Sequence, residues 1–262
     1  MLCNYHTHTF RCGHAKGSER EYIEKAIAEG LTTIGFSDHV PMPFPDGLQS
    51  HFRCPVEKLD DYVSTLLALR EEYRDRINIL IGFEAEYYPE LFAPMLKMLS
   101  PYPIDYLIMG QHFVGNERGE VYNGGAFTDG GKLVRYVDQV IEGAKTGAFT
   151  YFAHPDLINY AGENEELYRT EMRRLCEAFK ELGIPLEFNL LGFEEHRNYP
   201  CDRFWNVVAE VGNEVILGCD AHQPSKVADK EIVAGAIEKL KEFGITPIDS
   251  VEIRNPFKAT IM

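Results

Sequence analysis

The chain opens MLCNYHTHTFRCGHAKGS, which sets three imidazoles, His6, His8 and His14, close together at its start. Such a cluster is either incidental to a solvated loop or the beginning of a metal site. His6 and His8 are two apart in a segment of extended composition, so both side chains point to one face. Two imidazoles placed that way can grip one divalent ion at roughly 2.1 Å each. Asp220 and His222 repeat the spacing with one carboxylate. His14 follows a turn through Gly13 and can return to the same place. Cys12, inside the cluster, could add a sulfur ligand for a soft metal.

Residues this far apart act together only if the fold brings them together. Seven short apolar runs read as strands: 2–6, 32–38, 78–84, 104–110, 149–154, 185–190 and 214–219. Most are nearly continuous, as strands buried on both faces of a parallel sheet are. Segments of helical period lie between them at 19–29, 57–75, 131–144, 164–182 and 228–243. Ser18 with Glu21 forms a capping box for the first, and Gly30 stops it. The alternation continues without a break in composition. It predicts one α/β domain over residues 1–262, closed as a barrel. The irregular stretches 40–56 and 113–130 are long enough to expect a functional or mobile role.

In an α/β barrel the active site sits at the C-terminal ends of the strands. The seven runs end on His6 and His8; Asp38-His39; Glu84 and Glu86; Gln111-His112; His154 and Asp156; Glu187 and Asn189; and Asp220 with His222. Seven of the nine histidines therefore stand at or just past a strand end. His51 and His196 do not, and are read as ordinary loop residues. Convergence of the seven on one barrel mouth predicts a metal centre.

The charge balance narrows the partners. A net charge of −15 repels phosphate backbones, which disfavours a nucleic-acid substrate. No apolar run approaches the roughly 18 residues of a membrane span. The start lacks a basic segment followed by an apolar stretch, so a cytoplasmic location is expected. The six cysteines have no CxxC spacing and are expected to be free thiols.

The ordered series N-x-His6-T-His8, S-D-His39, G-x-Glu84, Q-His112, A-His154-P and G-x-Asp220-A-His222 resembles the PHP (polymerase and histidinol phosphatase) superfamily. It spans most of the chain. The CGHA segment, S-D-H-V-P-M-P, Arg53-C-P and D-A-H-Q-P are similar to the stand-alone histidinol-phosphate phosphatases, although Cys54 replaces an expected Met. The resemblance implies a distorted (β/α)7 TIM-like barrel and three divalent ions, of Zn, Mn or Fe. It gives one ion to His6, His8, Glu84 and Asp220. A second would share Glu84 and take His112 and His154. The third would be held by His14, His39 and His222.

The implied activity is hydrolysis of a small phosphomonoester, L-histidinol phosphate, to L-histidinol and phosphate. A water activated between the ions would attack phosphorus in line, with no phospho-enzyme, since the chain has no Cys-x5-Arg phosphate loop. Asp220 or His222 could protonate the leaving group. Arg197 matches the family's arginine and could clamp the phosphate as a fork, with Arg53 a second candidate. Glu86, Glu194 and Glu195 could receive the cationic amino end of the substrate. Another small phosphoester, a phosphotyrosine, or a non-catalytic metal-binding role are the alternatives.

Overall fold

Each of the seven apolar runs forms a strand, and the strands lie in chain order in one parallel sheet. In the computed structural model, which describes residues 1–118 and 121–258, they are β1 (Cys3–Asn4), β2 (Thr33–His39), β3 (Asn78–Ala85), β4 (Tyr106–Met109), β5 (Phe149–Phe152), β6 (Leu186–Asn189) and β7 (Val215–Gly218). Past β1 the chain runs on beside the segment that follows β7. His8 N donates to Ala221 O (3.0 Å) and Ala221 N to His6 O (3.2 Å), with Thr7 bridged to Ala221. That parallel bridge closes the sheet at one end only. The result is the distorted seven-stranded barrel expected from the sequence.

Helices cover the outside: α1 (Glu19–Glu29), α2 (Leu59–Tyr73), α3 (Pro89–Leu99), α4 (Gly130–Lys145), α5 (Glu165–Glu181), α6 (Leu190–Glu194), α7 (Asp202–Val211) and α8 (Lys230–Glu242). The capping box is formed, with Ser18 N donating to Glu21 Oε2 at 2.7 Å, and Gly30 turns left-handed at φ 86°. Periodicity located five of the helices and missed α3, α6 and α7. Pro94 lies inside α3, where proline reads as a break. It is tolerated because the carbonyl it leaves unpaired, on Glu90, belongs to an exposed residue. The short α7 buries Phe204, Trp205, Val207 and Val208 against the barrel. No helix among the described residues is long and apolar enough to cross a membrane.

The core has two layers. The larger lies between sheet and helices. The smaller fills the lower barrel interior with Cys3, Tyr5, Tyr106, Ile108, Tyr151 and Ile216. A methyl at Gly35 or Gly82 would overlap the Tyr106 ring, so these glycines make its room. Tyr106 Oη donates to Tyr5 O at 2.7 Å. Ile248, Val251 and Ile253 of the C-terminal segment pack on this layer, and Ile248 N donates to Val215 O (2.8 Å). The floor is thereby sealed, and the opposite end is left as the mouth.

Candidate metal centre

Glu84, the penultimate residue of β3, lies at the centre of the mouth and is buried. Its Oε2 is 2.9 Å from His39 Nδ1 and 3.6 Å from both His6 Nε2 and His8 Nε2. Its Oε1 is 2.8 Å from His154 Nε2 and 3.5 Å from His112 Nε2. Asp220 Oδ1 stands 3.1 Å from His8 Nε2, 3.5 Å from His6 Nε2 and 3.4 Å from His222 Nδ1. The Nε2 atoms of His222 and His14 are 3.0 Å apart. All nine side chains that the sequence nominated as ligands thus meet in one group.

Local backbone choices aim them. Gly110 faces Glu84 and leaves no room for a side chain, since a methyl there would overlap the carboxylate. His154 (φ 33°) and Asp220 (φ 48°) are held in the left-handed region, which non-glycine residues adopt at a cost. Both lie just past a strand end, where the twist turns the side chain inward.

Other groups occupy the far side of several rings. His6 Nδ1 is 2.8 Å from Glu187 Oε2, and His112 Nδ1 is 2.7 Å from Glu86 Oε1. His14 Nδ1 lies 2.9 Å from Cys12 O, and His222 Nδ1 lies 2.9 Å from Asp220 O. His8 Nδ1 is 3.6 Å from Asp38 Oδ1, while Asp38 Oδ2 accepts from Thr9 Oγ1 at 2.5 Å. Partners of this kind fix the tautomer and orient the ring. Glu187 and Asp38 received no role from the sequence. The signal that could find them is an acid in an otherwise apolar strand, which burial allows only with a partner.

Several buried atoms of the group still lack a hydrogen bond: His6 Nε2, both nitrogens of His8, His39 Nδ1, His154 Nδ1 and both oxygens of Glu84. Native interiors leave few polar atoms in that condition. Ligand atoms lie within 4.8 Å of one another in the sets His6/His8/Asp220, His8/His39/Glu84, His6/Glu84/His154 and His14/His39/His222. Mixed nitrogen and oxygen donors converging this way fit divalent ions. Cys12 forms a similar set with His8 and His222, but burial, with Asp38 beside it, pushes its thiol up to about 12.

The protonation states agree with that fit. Burial opposes ionisation of Glu84, yet the His39 and His112 imidazoles hold it well below the usual carboxylate range. Asp220 is lowered in the same way by His6 and His8 against its burial. Burial, with His8 nearby, lowers His39 to about 4 and His222 to about 3, so both are neutral at pH 7, the form a ligand needs. His6 and His8 are raised against their burial, chiefly by Glu187 and Asp220 respectively, and His8 reaches about 9. A cation binding here would take the place of those protons.

A cavity of about 530 Å³ opens over the group. Phe52, Phe113 and Tyr122, from the two long loops, line it, and Leu191, Glu195, Arg197 and Tyr199 continue the wall. Arg197 stands on that wall, donating through Nη1 to Tyr199 Oη (3.0 Å) and through Nε to Glu195 Oε2 (2.9 Å). His51, read from the sequence as ordinary, lines the cavity, whereas His196 is exposed and does not. Within the 113–130 loop, residues 119 and 120 lie outside the described residues.

Three expectations need correction. Arg53 is not on the cavity wall; it is buried, and its guanidinium is taken up by Glu86 (2.7 Å) and Glu117 (3.2 Å). Glu86 lies between Arg53 and His112, away from the wall, so it holds a ring and does not receive a substrate amine. Glu194 turns outside the cavity and pairs with Lys226. Of the acids proposed for the amine, Glu195 alone lines the cavity.

A parallel barrel with imidazoles and carboxylates gathered at its mouth has the layout of a metal-assisted hydrolase. The PHP domain model matches residues 4–191, and the chain belongs to the PHP family. Asp220 and His222 lie beyond the match. The chain is 30% identical to the Probable histidinol-phosphatase of Deinococcus radiodurans, over 93% of this chain and 94% of that protein. It is 24% identical to the histidinol-phosphatase of Bacillus subtilis, over 85% and 94%. The fold resembles the histidinol phosphate phosphatase of Lactococcus lactis solved with zinc, L-histidinol and phosphate. That likeness has a TM-score of 0.72, with 19% identity, and covers 99% of this chain and 98% of that one.

Proposed function

We propose that the chain is a metal-dependent phosphomonoesterase that hydrolyses L-histidinol phosphate to L-histidinol and phosphate. The observation that carries the reading is the group around Glu84: buried, polar, short of hydrogen bonds, and facing a cavity with a guanidinium on its wall. The named relatives support the choice of substrate. His6, His8, Glu84 and Asp220 would hold one ion, Glu84, His112 and His154 a second, and His14, His39 and His222 a third. When bound, divalent ions supply Lewis acidity that makes water nucleophilic at neutral pH and offsets charge on the phosphoryl oxygens.

The chain's own residues do the rest. Glu187, Glu86 and Asp38 hold the rings of His6, His112 and His8 in fixed orientation, so little reorganisation accompanies the reaction. Arg197 would reach the substrate phosphate from the cavity wall, with Tyr199 keeping its fork directed. Asp220 and His222 border the cavity but carry no spare proton at pH 7, so the departing alkoxide would be protonated by water, which the Asp220 carboxylate is placed to orient. Phe52 and Phe113 limit water on the substrate's flank. A biosynthetic phosphatase with six free thiols belongs in the reducing cytoplasm.

The test is phosphate release by metal-loaded protein from L-histidinol phosphate, a phosphotyrosine peptide and an oligonucleotide end. The reading expects kcat/KM for L-histidinol phosphate to lead by about tenfold or more. Product phosphate after one turnover in labelled water should carry one solvent oxygen. A leading rate on phosphotyrosine would transfer the substrate assignment, and a trapped phospho-protein would overturn the direct attack.

A further inference from the structure

We infer that Arg53 is a positioning residue with two separable outputs: through Glu86 it fixes the ring of His112, and through Glu117 it ties together the two loops that build the aromatic wall. The wall's part in substrate binding rests on the histidinol-phosphate reading above; the clamp itself does not.

Arg53 closes the 40–56 loop and is only 4% exposed. Its Nη1 donates to Glu86 Oε2 (2.7 Å) and Val40 O (3.3 Å), its Nε to Glu117 Oε1 (3.2 Å), and its Nη2 to Tyr88 Oη (3.4 Å). The guanidinium lies between the two carboxylates and donates to both. A lysine could not serve both, because its point charge lacks the fork.

The first output runs inward. Glu86 spends one oxygen on Arg53 and the other on His112 Nδ1 (2.7 Å). The ring is thereby turned so that Nε2 faces Glu84. The second output runs outward. Glu117 comes from the second loop, yet it accepts from Arg53 and from Ser50 Oγ (2.5 Å) of the first. The guanidinium carbon sits 4.6 Å over the Phe52 ring, and Phe52 and Phe113 have centroids 6.1 Å apart. One buried cation therefore holds a candidate ligand on one side and both wall-forming loops on the other.

The outputs separate in single substitutions of the full chain. Glu86→Gln should weaken Zn²⁺ binding about ten- to a hundredfold in chelator competition, and leave amide exchange at residues 113–118 unchanged. Glu117→Gln should leave Zn²⁺ affinity and kcat unchanged. It should speed exchange at 113–118 by about tenfold or more, as expected of a loop released from its anchor. It should also raise KM for L-histidinol phosphate more than for glycerol phosphate, which has no ring to meet the wall. Arg53→Lys should show both defects at once. The clamp is overturned if Glu117→Gln sheds metal as Glu86→Gln does, if its loop exchange stays at the wild-type rate, or if Glu86→Gln keeps wild-type Zn²⁺ affinity. Were the wild-type enzyme inactive on L-histidinol phosphate, the substrate reading would fail. Zn²⁺ affinity and exchange would still decide the clamp.

Discussion

The two ends of the barrel interior are built on opposite terms. At the floor, Tyr5, Tyr106 and Tyr151 pack with Ile108 and Ile216 under a seal of C-terminal residues. Glycines there make room for a ring, and the Tyr106 hydroxyl is satisfied by a backbone carbonyl. At the mouth, a glycine makes room for the Glu84 carboxylate, whose two oxygens face imidazoles without a well-formed hydrogen bond. The floor gains stability from buried apolar area. The mouth gives stability up to keep donor atoms available, and two of its residues carry left-handed backbone besides. The same strands serve both ends, so a residue's height along the strand decides which role it has.

That contrast can be broken by substitutions at each level. Glu84→Gln should cost about 10³-fold or more in phosphate release, because Glu84 would be the ligand shared by two ions. Metal analysis should show the loss, and the variant should unfold near the denaturant midpoint of the metal-stripped wild type. Tyr106→Ala should do the reverse. It empties a packed site and should lower stability by about 3–5 kcal/mol in denaturant unfolding, while the folded fraction still takes up metal.

Smaller effects sharpen the picture within the mouth. Arg197→Ala should lower kcat/KM about 10²-fold with metal content unchanged, since the guanidinium lines the cavity and is held by Tyr199 and Glu195 rather than by a candidate ligand. Glu187→Gln should weaken metal binding about tenfold, read by chelator competition, through a looser His6 ring. If Arg197→Ala lost metal, or Glu187→Gln did not, the division between substrate wall and ligand support would fail.

Much of this was legible before any coordinates. Burial on both faces made the seven strands read as apolar runs, and that fixed where each strand ended. The strand ends then nominated candidate ligands, because an acid or imidazole closing an apolar run needs a reason to be there. Side-chain partnership was not legible. Arg53 reads as a phosphate ligand in one dimension, and only its place between Glu86 and Glu117 assigns it elsewhere. His51 looked incidental because loop position says nothing about which wall the loop folds onto. Pro94 hid α3, and the C-terminal seal carries no periodic signal, since its pairing with the sheet is the isolated bridge between Ile248 and Ile216 among the described residues.

The central claim is that the unsatisfied atoms around Glu84 exist to hold cations. Its most direct test is the number of divalent ions bound per chain at equilibrium, with phosphate release from L-histidinol phosphate followed through chelation and reloading. The account predicts three ions, activity lost with them and restored by Zn²⁺, Mn²⁺ or Fe²⁺. A chelated protein that binds less than one ion per chain and still turns over substrate at its full rate would contradict it.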